Sequence, residues 1–176
     1  MRKIILVAVD QNYGIGIHGR LPWQGLQRAD MKRFIDLTTK PIGFPLIMGR
    51  KTYDSFPNRP LPGRMNIVIT RRQPENLIPG CTVVNSIETA IEAAEQEGKN
   101  KAFIIGGAEI YRQMLPMADE LNLTMIYHEF EANTFFPLKR LPRGFSSWEQ
   151  VDVENHPADD KNRYPYSFMR FLKVPI

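Results

Sequence analysis

Asp30 stands where a carboxylate is costly. On a helix turning about 100° per residue, Leu26, Phe34 and Leu37 all fall within about 40° of it. A charge centred on an apolar stripe is expensive unless it is paired. Local capping or pairing is one reading of it. The other is a pocket carboxyl with a raised pKa that exchanges a proton or grips a cationic heterocycle, with Met31 and Phe34 as walls for a flat ring. The three histidines do not compete. His18 and His156 fall in predicted loops and His128 in a predicted strand, without metal-ligand spacing, and all three read as structural or surface residues. No G-x-S-x-G motif supports a covalent hydrolase.

A second group of residues has the types that hold phosphate. Phe103 to Ile105 lead through Gly106 and Gly107 into a helix beginning Ala108-Glu109-Ile110-Tyr111, so the backbone can approach a ligand and offer free N–H groups. Leu46 to Met48 lead likewise through Gly49 into Arg50-Lys51-Thr52. Each glycine alone reads equally well as tight αβ packing, but two such junctions in one domain suit the diphosphate of a dinucleotide. Asn66 to Thr70 end at Arg71 and Arg72, which with Arg50 would make a cationic pocket for a 2′-phosphate. No acid stands at that strand end to claim a free ribose hydroxyl, which favours NADP over NAD. A third glycine site is a decoy. Gly14-Ile15-Gly16-Ile17-His18-Gly19 matches G-x-G-x-x-G, yet Arg20-Leu21-Pro22-Trp23 follow it, and Pro22 argues against the helix a Rossmann fingerprint needs. It reads as a glycine-rich loop, either a plain connection or a lid.

Short β-branched runs punctuated by Gly and Pro must position these groups. Strands are expected near 4–9, 44–48, 66–70, 82–84, 102–106, 121–130, 148–153 and 166–174, and helices near 26–39, 50–56, 86–97 and 107–115. The clearest helix starts at Ser86, a good cap, and stops at Gly98. Strand–helix alternation followed by two strands without a helix predicts an α/β fold. One domain over residues 1–176 holds a central eight-stranded, mostly parallel sheet with a C-terminal antiparallel hairpin and about four flanking helices.

Composition agrees with a folded domain of 176 residues, 43% apolar and 24% charged. That excludes a disordered tail, a coiled coil and a collagen-like fibre, and the lone Cys81 excludes a disulfide framework. The run Ile4 to Val9 is too short for a signal peptide's apolar region and ends at Asp10, so it reads as a first strand, with the cytoplasm as default. The net charge of +4 is local: residues 50–72 hold six cations against Asp54 alone, and the rest of the chain is close to neutral. A site for anionic ligands explains this better than a nucleic-acid surface does.

With these motifs in order, the chain closely resembles the dihydrofolate reductases. The resemblance rests on Val7-Ala8-Val9, Gly14-Ile15-Gly16, Leu21-Pro22-Trp23, Asp30 with Phe34 and Thr38, and Ile47-Met48-Gly49-Arg50-Lys51-Thr52. It continues through Arg59-Pro60-Leu61-Pro62-Gly63-Arg64, Ile105-Gly106-Gly107, and Asn133-Thr134 before Phe136-Pro137. It implies reduction of 7,8-dihydrofolate to tetrahydrofolate, with hydride passing from NADPH to pterin C6 and a proton reaching N5. Asp30 matches the family's active-site acid, with Trp23 and Thr124 beside it. Leu6, Val7, Met31, Phe34, Phe56, Arg59, Leu61, Ile105 and Tyr111 would line the folate side, and Arg64 would bind the glutamate α-carboxylate. Ala8, Gly14, Ile15, Gly16, Ile17, Gly19, Arg20 and Leu21 would adjoin the nicotinamide. Gly49, Lys51, Thr52, Gly106, Gly107, Ala108, Glu109, Ile110, Tyr111 and Arg112 would carry the diphosphate. Arg50, Thr70, Arg71 and Arg72 would surround the 2′-phosphate. The resemblance further implies a monomer with no metal, membrane or nucleic-acid partner, open to antifolates at the same site.

Departures from the commoner pattern are an extra residue between Trp23 and Asp30, Tyr53 for tryptophan, Ala108 for glycine, and Asn133 for an aspartate. The nearest rival is a same-fold pyrimidine reductase of riboflavin synthesis, against which Arg64 and the Asp30/Phe34 pair argue. A non-catalytic nucleic-acid-binding module is a remote alternative.

Overall fold

The short apolar runs do pair into one sheet. In the computed structural model, which describes residues 1–71, 78–138 and 147–174, the strands are β1 (Arg2–Val9), β2 (Gly14–Gly16), β3 (Leu46–Gly49), β4 (Asn66–Ile69), β5 (Cys81–Val84), β6 (Lys101–Ile104), β7 (Glu120–Ile126), β8 (Thr134–Phe135), β9 (Trp148–His156) and β10 (Tyr166–Lys173). The helices are α1 (Arg28–Thr39), α2 (Arg50–Ser55), α3 (Ile87–Gln96) and α4 (Ala108–Met114). Eight strands form the main sheet in the order β5-β4-β3-β6-β1-β7-β10-β9. Pairing is parallel from β5 to β7, and antiparallel between β7 and β10 and between β10 and β9. β1 lies between β6 and β7 and buries Ile4, Ile5, Leu6, Val7 and Val9, the unbroken apolar run expected of a central parallel strand covered on both faces.

Three apolar clusters fill the two layers. Ile5, Val7, Ile47, Ile67 and Ile104 meet α3 and α4 through Ile87, Ala90, Ala94, Ile110 and Met114. On the opposite face Ile4, Leu6, Leu46, Met48 and Phe103 pack with Phe34 and Leu37 of α1. Trp23, Ile126 and Tyr166 form the third, against Leu26 and Ala29. Asp30 falls on α1 between the residues that feed the second and third clusters.

Several boundaries differ from expectation, each for a local reason. α1 begins at Arg28, because Gln27 and the residues before it are held by the loop ahead of β10. The Gln27 side chain bonds both backbone groups of Tyr164, and the Asn162 side chain accepts from the Ala29 N–H at 2.8 Å. β7 ends at Ile126, short of the strand expected to 130. The Tyr127 N–H turns to the Pro165 carbonyl, so His128 lies beyond the strand and stacks on Tyr164 at 4.1 Å. β2 and β8 form an unforeseen two-stranded antiparallel ribbon. Gly14–Gly16 are therefore strand, and no α-helix opens until Arg28, which accounts for the failed Rossmann match. α3 matches its prediction, with Ser86 and Thr89 forming a reciprocal capping box.

Candidate active site

A cleft of about 1180 Å³ crosses the carboxyl ends of the parallel strands, where open α/β sheets hold ligands. That is slightly above the roughly 1,000 Å³ at the upper end of small-molecule pockets.

The acid end is built by β1 and α1. Leu6, Val7 and Ala8 meet Asp30, Met31 and Phe34 there, with Phe56, Ile105 and Tyr111. Asp30 is enclosed on its protein side and opens part of its surface to the cleft. Burial pushes its pKa above the ordinary carboxylate value, and the Thr124 hydroxyl and the Arg33 charge oppose that rise. Thr124 is buried on β7, directly opposite Ala8 in the sheet register, and lies behind the wall. Trp23 also lies behind it, 2% exposed and packed with Ala8 and Ala29. Its indole Nε1 is buried without a hydrogen-bond partner among the described residues. The Phe34 and Phe56 rings lie 17° from parallel with centroids 6.2 Å apart. Leu61 is buried in the same cluster. Arg64 donates to the Thr38 hydroxyl at 2.8 Å and sits over the Phe34 ring, at the rim.

The other end is a cradle of small residues and cations. The Gly49 N–H donates to the Gly106 carbonyl at 2.7 Å, tying β3 to the junction after β6. Gly106 has φ +103°, and a Cβ there would lie 2.9 Å from the Tyr111 ring, so only glycine fits. The Gly106–Gly107 peptide is cis. Tyr111 is buried, and its hydroxyl donates to the Leu6 carbonyl at 2.9 Å, which makes it a strut between the two ends. Gly49 and Gly107 precede α2 and α4 without side-chain caps. Those helices are six and seven residues long, so their donors are individual N–H groups and not a large dipole. Lys51, Thr52, Ile69, Thr70 and Arg71 complete the wall with Ala108, Glu109 and Ile110. Arg50 also faces the cleft, its Nε bonded to the Asp54 carboxylate at 2.9 and 3.0 Å.

From the glycine-rich loop, Ile15, Gly16, Gly19, Arg20 and Leu21 face the cleft. Besides Trp23, Thr124 and Arg64, six expected residues do not line it. The Gly14 N–H donates to Asp10, which also accepts from the Asn12 and Phe130 N–H groups, so Gly14 serves to anchor the loop. Ile17 bridges Arg20 in a tight turn. Arg59 braces its own loop by donating to the Asp54 and Phe56 carbonyls. Arg112 is taken up by Glu109, whose pKa it holds down at about 2. Gly106 stands behind Gly107, and Leu61 behind Phe56. Arg72 lies outside the described residues.

Other lining residues were not foreseen: Asp54, Ser55, Ile69, Asn85, Ser86, Ile87, Glu88, Gln113, Asn133 and Thr134. Asn85-Ser86 joins β5 to α3 by the same strand-to-helix junction as Gly49 and Gly107, a signal hidden because Ser86 already had a role as a cap. Asn133 and Thr134 reach the cleft through the β2–β8 ribbon.

A mostly parallel sheet carrying at its strand ends one cleft, cationic at one end and holding a half-buried carboxyl at the other, suits an α/β oxidoreductase of the dinucleotide-dependent class. A family model described as dihydrofolate reductase matches residues 3–173. The dihydrofolate reductase of Bacillus subtilis (strain 168) is 39% identical over 168 residues, covering 96% of this chain and 92% of that one. That of Staphylococcus haemolyticus is 38% identical over 170 residues, covering 97% and 95%. The solved structure of dihydrofolate reductase from Enterococcus faecalis, complexed with NADP(H) and RAB-propyl, superposes with a TM-score of 0.87 at 31% identity, covering 99% of this chain and 97% of that one. The chain belongs to the dihydrofolate reductase family.

Proposed function

We propose that the chain reduces 7,8-dihydrofolate to 5,6,7,8-tetrahydrofolate with NADPH, and that Asp30 supports protonation at N5. The observation carrying this is a single half-buried carboxyl facing, in one cleft, a cradle suited to a dinucleotide. The cradle fits the cofactor. A Cβ on Gly107 would lie 3.3 Å from the Thr52 hydroxyl, so glycine leaves that space to a ligand. β4 is followed by Thr70 and Arg71, and among the described residues at that strand end there is no acid to bind a free ribose hydroxyl. Lys51, Thr52 and Gly107 would hold the diphosphate, and Arg71 with Arg50 the 2′-phosphate. When bound there, NADPH supplies the hydride.

The chain's own residues do the rest. The Asp30 carboxylate accepts from the pterin N3–H and 2-amino groups, fixing the ring and favouring the tautomer that takes a proton at N5. Met31, Phe34 and Phe56 clamp the rings, and Arg64 at the rim offers a fork to the glutamate α-carboxylate. Ala8, Ile15 and Leu21 exclude water from the space between donor and acceptor carbons. The protein is further proposed to act as a cytoplasmic monomer without a nucleic-acid partner, and antifolates to compete at this cleft. Among the described residues no helix is long and apolar enough to cross a membrane. The test is NADPH oxidation dependent on dihydrofolate. Asp30→Asn should keep cofactor binding, lose most turnover at neutral pH and recover partly in acid, where substrate arrives protonated. An unimpaired variant would overturn the role of Asp30.

A further inference from the structure

The outer face of β7 carries a polar ladder that ends at Asp30. Glu120, Asn122 and Thr124 alternate along the strand, so all three point to the face covered by α1. Glu120 is clasped by Arg170 of β10, with Nε 2.8 Å from Oε1, and by Arg2 of β1. The Asn122 amide donates to Glu120 at 2.8 Å, which turns its carbonyl oxygen toward α1. Arg33 of α1 takes that oxygen with Nη2 at 3.2 Å and reaches the Thr124 hydroxyl with Nη1 at 3.4 Å, its guanidinium 4.4 Å above the Phe168 ring. A threonine hydroxyl has one proton and two lone pairs. With a guanidinium N–H directed at one lone pair, the hydroxyl proton is free for another acceptor, and the Asp30 carboxylate is the group whose charge that hydroxyl stabilises.

We propose that Arg33 is a positioning residue for the reaction: its guanidinium, held against Asn122 and Thr124, places a positive charge beside Asp30 and favours the acceptor form that receives the pterin N–H groups. The proposal rests on the functional reading above, since only that reading gives the acceptor form a purpose. The surroundings are consistent with it. Arg33 is faced by Asp30 from its own helix, Glu120 from β7, and Asp152 and Glu154 from β9, which offset the burial that draws its pKa down. Asp30 is faced by Arg33, by Thr124 and, across the cleft, by Tyr111 of α4, whose hydroxyl feels the Asp30 charge. Lys32, next in sequence, points to solvent and pairs with Asp36.

The test titrates the Asp30 carboxyl by ¹³C NMR in aspartate-labelled protein, with Asp30→Asn to assign the signal, alongside the pH profile of kcat/KM. Arg33→Met keeps the stem over Phe168 and should move the Asp30 titration toward higher pH by about one unit, as expected for loss of a nearby opposite charge. Arg33→Gln, neutral but able to bond Asn122, should move it the same way if the methionine variant folds poorly. Arg33→Lys should restore most of the wild-type titration, and Lys32→Met should leave it in place. The rate profile should shift in the same direction, because removing a cation favours the proton on either the carboxyl or N5. An Asp30 titration unchanged in both neutral variants would overturn the proposal whatever the activity. Absence of dihydrofolate-dependent turnover in the wild type would instead overturn the functional reading, and the NMR arm would still decide what Arg33 does.

Discussion

Asp30→Asn should make the protein more stable while disabling it. Burial raises the Asp30 pKa above its unfolded value of 3.8, so the ionised carboxyl destabilises the folded state relative to the unfolded one. Below 3.8 the group is protonated in both states and the penalty vanishes. It grows as pH rises from 3.8 to the elevated folded value, then stays constant. Each unit of elevation is worth about 1.4 kcal/mol. Asparagine imitates the neutral acid in shape and still accepts from Thr124, so it escapes the penalty without leaving a cavity. Arg33 loses a favourable partner, but Glu120, Asp152 and Glu154 remain around it. The balance is a gain at pH 8, shrinking toward pH 4. Urea denaturation followed by far-ultraviolet circular dichroism at pH 5, 6.5 and 8 measures it, provided the m-values of the two proteins agree. A variant less stable than wild type at pH 8, or a difference that does not change with pH, would refute the reasoning.

Two other perturbations separate the parts of the site. Arg71→Ala should raise the KM for NADPH by about 10- to 100-fold, the loss of a charge-assisted contact to phosphate, while leaving NADH nearly unaffected; equal effects on the two cofactors would remove the 2′-phosphate role. Asn162→Ala strips the acceptor from the Ala29 N–H and should cost about 1–2 kcal/mol in urea unfolding. It should also raise the KM for dihydrofolate more than that for NADPH, because the first turn of α1 carries Asp30.

How much of this was legible in the sequence depends on how local the cause is. Asp30 stood out because helical periodicity alone puts it among Leu26, Phe34 and Leu37. The glycine junctions before α2 and α4 were legible for the same reason: a strand end, a small residue and a helix start lie within a few positions. Asn162 was not, because the N–H it caps is 133 residues away and its own loop has no periodicity. Gly14, Ile17, Arg59 and Arg112 show a different limit. Their types suited a binding role, but nearby groups already held them: Asp10, Arg20, two carbonyls of the Arg59 loop, and Glu109. Type and spacing locate a residue in the chain, whereas competition for its hydrogen bonds decides where it points.

The cations and the carboxyl of the cleft are maintained on different terms. Arg50 lies at an exposed rim, where an ion pair such as that with Asp54 contributes about 0.3–0.5 kcal/mol and can be exchanged for a ligand's phosphate at little cost. Asp30 has no such freedom. Its charge is partly buried, so its position must be enforced by structure that gains nothing from the ligand. That structure comes largely from the antiparallel end of the chain. Asn162 caps the helix that bears Asp30, Phe168 underlies Arg33, and Arg170 clasps Glu120 at the base of the ladder. Among the described residues none beyond Thr134 lines the cleft. The β9–β10 pair therefore contributes nothing to the walls of the site and much to the placement of its acid, which gives these two strands a catalytic reason to follow a parallel sheet that already holds the cofactor cradle.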